Sequence, residues 1–274
     1  VGALVSAASA TAGVFVLYKL MDFANMTYFN AIAIIVVITF VGSNLLGIKQ
    51  DNTRRLLGYS SVGQIGLIMA ILGLRPYLGA NTQFIAITII LSHYLAKAGL
   101  FWLAGIINAE KLKDWGIIRG NRLYLFLMGT FIFTLIGFPP FPSFFGKWEL
   151  IMGLAQSGKF YLLAAILVGS FFEAIYLFRW LGYAIKWDEV EVKQIKLSLS
   201  KIIPVGIFAL LTYAAGYYTS TLMGQEVVFN YIALGFVALL FLIDFLPVYI
   251  KNTLAISAMA IYFYLNYDSH ESLR

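Results

Sequence analysis

Residues 135–153 read LIGFPPFPSFFGKWELIMG, an apolar run interrupted by Gly137, Pro139, Pro140 and Pro142 and carrying a lysine, Lys147. Proline has no backbone N–H and its ring collides with the preceding helical turn, so no intact helix passes through 139–142. The run is therefore either a turn between two hairpin helices or a single membrane crossing broken in its middle. Which of the two it is sets the topology of everything downstream.

The flanking charges discriminate. If 123–157 crosses once, the loops holding Lys49, Arg54, Arg55, Lys111, Lys113, Arg119, Arg122, Lys186, Lys193, Lys196, Lys201 and Lys251 fall on one side of the membrane. Only Lys19, Arg75, Lys159 and Arg274 then fall on the other. If it crosses twice, the lysines at 186–201 change sides and the asymmetry vanishes. Because basic residues concentrate in cytoplasmic loops, the expectation is one broken crossing, with the basic loops in the cytoplasm or its organellar equivalent.

The rest of the chain is of the same kind. It has 274 residues, 61% hydrophobic and 12% charged, with a mean hydropathy of +0.86, too apolar for a soluble domain of that length. Apolar stretches of about 20 residues recur from end to end, the length a helix needs to cross a ~30 Å hydrocarbon core. Expected spans are 3–20, 29–48, 56–74, 84–107, the broken 123–157, 160–185, 202–223, 229–250 and 253–267. The fold class is therefore all-α, a polytopic transmembrane bundle with one discontinuous helix. A transmembrane β-barrel is excluded, since its strands alternate polar and apolar residues.

No cysteine is present, which excludes iron–sulfur clusters, thiol catalysis and disulfides within this chain. The net charge of +6 follows from loops bordering membrane spans, so a nucleic-acid partner is not expected; the lipid bilayer is. No basic leader precedes the first span, and a cleavable signal peptide is not expected. The longest polar stretches, NAEKLKDWGIIRGNR from Asn108 and KWDEVEVKQIKLSLSK from Lys186, are too short to build a soluble core. Function must lie among the helices.

Charges inside the spans are the candidates. Lys97, Lys147 and Arg179 are embedded bases, Glu173 and Asp244 embedded acids, and His93 lies one turn from Lys97 on the same helix face. A charge at the centre of a span costs ~2.5–3.5 kcal/mol, so each needs a partner, a wet cavity or neutralisation. Two titratable groups in reach of one water chain can hand on a proton. The alternative is that Lys97 snorkels and His93 packs. Lys147 follows the prolines directly, close to carbonyls that have lost their helical partners, and lipid tolerates such carbonyls only against protein or water. Glu173 and Arg179 are six residues apart, about 240° around a helix, and do not pair along it. Glu173 is expected to face the bundle interior and Arg179 the basic loop, with a structural ion pair to another span as open as a transport role. Asp244, seven residues before Lys251, reads as interfacial.

Three segments carry a family resemblance. DNTRRLLGYSSVGQIGLIMAILGL from Asp51, SHYLAKAGLFWLAG from Ser92 and GFPPFPSFFGKWELI from Gly137 resemble, in order, three motifs of the antiporter-like subunits. That family is shared by respiratory complex I (its subunits 2, 4 and 5), group 4 membrane-bound hydrogenases and Mrp sodium–proton antiporters. The resemblance implies a five-helix unit over the spans from 29 to 185. It implies that Lys97 is a central proton relay with His93 beside it, and Lys147 the broken-helix lysine of an exit half-channel. Asp51, Arg54 and Arg55 match a structural loop signature, and Pro139 and Pro140 the break. Thr11 stands where many members have a lysine, and Ser143 where a Gly-Phe pair begins. The sequence resembles the C-terminal half of a member, so a chain supplying the missing N-terminal half-channel is an expected partner, with other membrane-arm subunits. Residues 1–190 would form the half-channel bundle and 191–274 additional helices.

The function so implied is proton translocation in a complex I-like (NADH:quinone oxidoreductase) or hydrogenase complex of an energy-coupling membrane. An Mrp-type antiporter subunit and a non-pumping structural subunit are the alternatives. No motif for nicotinamide, flavin, quinone or metal occurs, so no cofactor is expected, and the chain would be a noncatalytic part of the translocase.

Overall fold

The computed structural model describes residues 10–23, 25–185 and 199–224, together with positions 2, 231 and 235. Apart from positions 231 and 235, the expected spans 229–250 and 253–267, with Asp244, lie outside these residues. So do Lys186, Lys193, Lys196, Lys251 and Arg274, and the expected unit boundary at 190/191.

Among the described residues the regular elements are helices, joined by short turns and one isolated antiparallel bridge between Asn52 and Lys111. The long helices are α1 (Ala10–Leu20), α2 (Met26–Ile48), α3 (Thr53–Gly73), α4 (Asn81–Ile107), α5 (Arg122–Ile136), α6 (Pro142–Gln156), α7 (Phe160–Ile185) and α8 (Leu199–Leu222). Five of them, α2, α3, α4, α7 and α8, are long and apolar enough to cross a membrane. Asparagines start three: Asn25, Asn52 and Asn121 accept N–H groups of the first turns of α2, α3 and α5, filling donors a helix start leaves open. Pro142 opens α6, where a missing N–H is harmless.

Side chains too small to keep backbones apart set the packing. A Cβ on Gly73 would sit 2.8 Å from the Ala33 backbone nitrogen, and one on Gly63 2.8 Å from Asn44. Helices α2 and α3 are thus a close antiparallel hairpin, held by the van der Waals contact that drives helix association in lipid. Phe40 meets Gly169, and Gly47 meets Tyr176, so α7 runs parallel to α2. Along α4 the contacts march in one direction. Phe131 of α5 packs on Gly99, Gly146 of α6 on Thr88, and Glu149 bonds Asn81 at 3.0 Å. Helices α5 and α6 therefore descend α4 in the same sense, one after the other.

The two ends of the bundle are distinct. At one end the loops before α3 and after α4 zip together: Thr53 N donates to Glu110 O and Leu112 N to Asp51 O, both at 2.8 Å. A 3-10 helix, Leu112–Ile118, lies there against α7, with Trp115 edge-on to Trp180 at 4.7 Å. Lys49, Arg54, Arg55, Lys111, Lys113, Arg119 and Arg122 gather at this end. The other end holds Arg75, paired with Asp22 at 2.6 Å, and Lys159, stacked 4.5 Å over Tyr77.

Candidate functional site

The site starts from the end of α5. In an α-helix the carbonyl of residue i accepts from the N–H of residue i+4. For Leu135 and Ile136 those residues are Pro139 and Pro140, which have none. Gly137, at φ +91°, turns the chain out of the helix, and its N–H and that of Phe138 both go to Phe133 O, at 3.1 and 3.0 Å. Three carbonyls, Thr134, Leu135 and Ile136, are left without a backbone donor.

Helix α6 supplies the donors from its side chains. Lys147 Nζ donates to Ile136 O at 2.9 Å and Leu135 O at 3.2 Å. Ser143, one turn earlier on the same face, donates its hydroxyl to Thr134 O. An ammonium at the carbonyl end of a helix also meets the negative pole of the helix dipole. Ser143 is thus a cap for the end of α5.

Glu173 completes the group from α7. It is fully buried, and its Oε2 lies 3.4 Å from Lys147 Nζ. Gln64 of α3 places its Nε2 2.7 Å from both carboxylate oxygens. A carboxylate in this setting would cost several kcal/mol without such neighbours. Glu173, read apart from the proline segment and Lys147 in the sequence, lies at the same place in the structure.

Lys97 and His93 are placed elsewhere. Both are buried on α4 one turn apart, and Lys97 Nζ donates to Leu57 O of α3 at 3.0 Å, an oxygen that also accepts the Ser61 hydroxyl at 2.8 Å. From Leu57 a buried stripe of α3 runs through Ser60 to Gln64, so one helix face touches both lysine sites. Asp51, Arg54 and Arg55 belong to the basic end. Arg54 bonds Asn108 at 3.3 Å, the N–H groups of Arg54 and Arg55 are capped by Asn52, and Asp51 lies 3.8 Å from Arg179. Arg179, which also donates to Gln50 O, points to that loop and away from Glu173, as expected.

Gln64 was not singled out by sequence reasoning. Its signal was present as a lone amide in an apolar helix, inside a segment read as structural. The capping role of Ser143 was equally readable from its spacing of four to Lys147.

A helical membrane bundle with a buried lysine–glutamate pair beside the turn between α5 and α6 is the class that fold and site define. The chain belongs to the family described as NADH:quinone oxidoreductase/Mrp antiporter, transmembrane, whose model matches residues 1–173. Over 144 residues it is 35% identical to the NADH-quinone oxidoreductase subunit N of Desulforudis audaxviator, covering 50% of this chain and 28% of that protein. Its fold matches a chain of the membrane-bound sulfane sulfur reductase, an archaeal respiratory membrane complex, with a TM-score of 0.69 at 20% identity over 82% of this chain and 47% of that one. A chain of respiratory complex I from Thermus thermophilus matches with a TM-score of 0.55 at 26% identity, over 68% of this chain and 43% of the other. The chain spans less than half the length of these relatives. It is an integral membrane protein of a family that serves energy-coupling membranes.

Proposed function

We propose that the chain is a proton-translocating membrane-arm subunit of a complex I-like or membrane-bound hydrogenase complex, corresponding to the C-terminal part of an antiporter-like subunit. The observation that carries this reading is the Lys147–Glu173 pair, buried at a helix break whose carbonyls Lys147 itself caps. Such a site holds an exchangeable proton at mid-bundle without exposing charge to lipid. Lys97 passes protons along the α3 face to this pair, and His93 lies beside it. A redox reaction in a neighbouring subunit supplies the energy, and a second chain supplies the half-channel toward Lys97.

Residues 122–156 form one interrupted crossing in this reading. Two features support it: Arg122 follows the loop fixed to Asp51, whereas Lys159 lies at the opposite end beside Tyr77. The parallel course of α2 and α7 agrees with an odd number of crossings between them. By the positive-inside rule the end with Arg54, Arg55 and Lys111 faces the cytoplasm or its equivalent.

The test is redox-driven proton uptake by the assembled complex in proteoliposomes. Lys147→Ala is expected to lower uptake by at least about tenfold. Unchanged uptake in an intact complex would sink this reading in favour of a structural subunit. Gentle purification adds a second arm: co-purifying quinone-module or hydrogenase-like subunits support the proposal, and their absence with retained sodium–proton exchange favours an antiporter.

A further inference from the structure

The end of the bundle opposite the basic loops contains a cavity of about 310 Å3, between the short helical turn Arg75–Leu78, the start of α4 and the second half of α6. Polar groups line it from all three: Tyr77 from the turn, Asn81 from α4, and Glu149, Gln156 and Ser157 from α6 and the residue that follows it. Leu78 and Met152 add an apolar wall, and turn and helix meet there so closely that a Cβ on Gly153 would stand 2.8 Å from Leu78 Cδ2. Two of the polar groups are fixed in place. The Tyr77 hydroxyl donates to Asn30 Oδ1 at 2.6 Å, and Asn81 Nδ2 donates to Glu149 Oε2 at 3.0 Å.

The cavity has a charge of each sign. Glu149 lines it about two turns before the end of α6 at Gln156. Lys159, in the turn between α6 and α7, stands at the rim with its ammonium 4.5 Å from the centre of the Tyr77 ring. Phe160 and Tyr161 follow it and are more than half exposed. Aromatic side chains at the ends of membrane spans settle at the level of the lipid headgroups, so the rim lies where headgroups are.

We propose that this cavity binds the headgroup of a zwitterionic aminophospholipid from the leaflet on that side, with its primary ammonium on Glu149 and its phosphate on Lys159. The site goes beyond the transport reading and holds whether or not the chain moves protons. A primary ammonium brings three N–H donors, which the Glu149 carboxylate, the Gln156 side-chain carbonyl and the Tyr77 hydroxyl oxygen can accept. A choline headgroup has no N–H and leaves those acceptors unmet. A glycerol headgroup brings a net negative charge toward Glu149 with no cation to offset it. A divalent metal ion suits the wall poorly, because one carboxylate lines it where such an ion draws on several oxygen ligands.

The experiment uses the assembled complex in phosphatidylcholine vesicles that carry a trace of phosphatidylethanolamine with a photoreactive group beside its phosphate. After illumination, mass spectrometry locates the label. Label is expected on the segments holding Tyr77 and Met152, and unlabelled phosphatidylethanolamine is expected to displace it at roughly one tenth of the concentration that phosphatidylglycerol or added phosphatidylcholine needs. Glu149→Gln keeps an oxygen for Asn81 and is expected to cut this labelling roughly tenfold, with complex yield unchanged; Lys159→Ala is expected to cut it about threefold. Labelling that is unchanged in Glu149→Gln, or displaced equally well by all three lipids, would overturn the site. Displacement by chainless glycerophosphoethanolamine as readily as by the lipid would overturn the lipid as occupant and assign the cavity to a soluble zwitterion. Where Glu149→Gln fails to assemble, the competition among the three lipids on the unaltered complex still decides.

Discussion

Lys147 and Lys97 are two buried lysines in one bundle, and their surroundings differ in kind. Lys147 has a carboxylate and two carbonyls within 3.4 Å; Gln64 also reaches Leu135 O at 3.4 Å, and Ile136 O faces Pro140, which has no N–H to give. Lys97 has one carbonyl, which another side chain also serves. The first lysine caps the end of α5, and in the proposed function it is also the proton site. The second lies in an unbroken helix that stands without it. Loss of Lys147 therefore damages structure and transport together, whereas loss of Lys97 separates them.

The largest expected effect follows from breaking the pair. Glu173→Ala leaves Lys147 without its counter-charge, and Lys147→Met leaves Glu173 a buried carboxylate with only Gln64. Each is expected to cost about 3–5 kcal/mol, read as lost complex yield and a lowered thermal midpoint. The double variant Lys147→Met, Glu173→Gln carries no net buried charge and is expected to regain much of that stability while remaining unable to transport. A double variant as unstable as either single one would assign the stability to the carbonyl caps and not to the pair.

Gly137→Ala comes next. At φ +91° an L side chain is strained, and its Cβ would stand 2.8 Å from Lys147 Cδ. Together these are expected to cost about 2 kcal/mol and to push Lys147 off Leu135 O and Ile136 O. Thermal midpoint and proton uptake should fall together; a variant with normal uptake would mean that Lys147 tolerates displacement.

Lys97→Met sharpens the contrast from the other side. Methionine fills a similar volume, and Leu57 O keeps the Ser61 hydroxyl, so stability is expected to change by less than about 1 kcal/mol. Proton uptake is nevertheless expected to be lost. A large drop in yield would erase the distinction between the two lysines.

Which parts of this were legible in the sequence follows from the kind of signal each leaves. Hydropathy located the five candidate spans α2, α3, α4, α7 and α8 to within a few residues, because lipid demands long apolar helices whatever they pack against. The prolines located the turn between α5 and α6, since a missing N–H is a local property of residues 139 and 140. The union of Lys147 with Glu173 was not legible, because it joins α6 to α7 through a helix-packing angle that no spacing encodes. Gln64 was hidden for the same reason. An amide in an apolar helix signals a partner but does not say on which helix that partner lies.

The smallest effect belongs to the basic end, where charge is present and solvent is near. Asp51 is mostly exposed and lies 3.8 Å from Arg179, a distance at which water screens most of the attraction. Asp51→Asn is expected to shift stability by less than about 0.5 kcal/mol, whereas Arg179→Leu also removes the donor to Gln50 O and is expected to cost about 1 kcal/mol. Raising the salt concentration should narrow the gap between wild type and Asp51→Asn and leave the Arg179→Leu deficit in place. The Lys147–Glu173 pair, closed off from water, should show no such salt dependence in its own variants. A salt-sensitive stability of Glu173→Ala would place ions and water at the break, and the buried pair would then resemble the loop end more than its geometry implies.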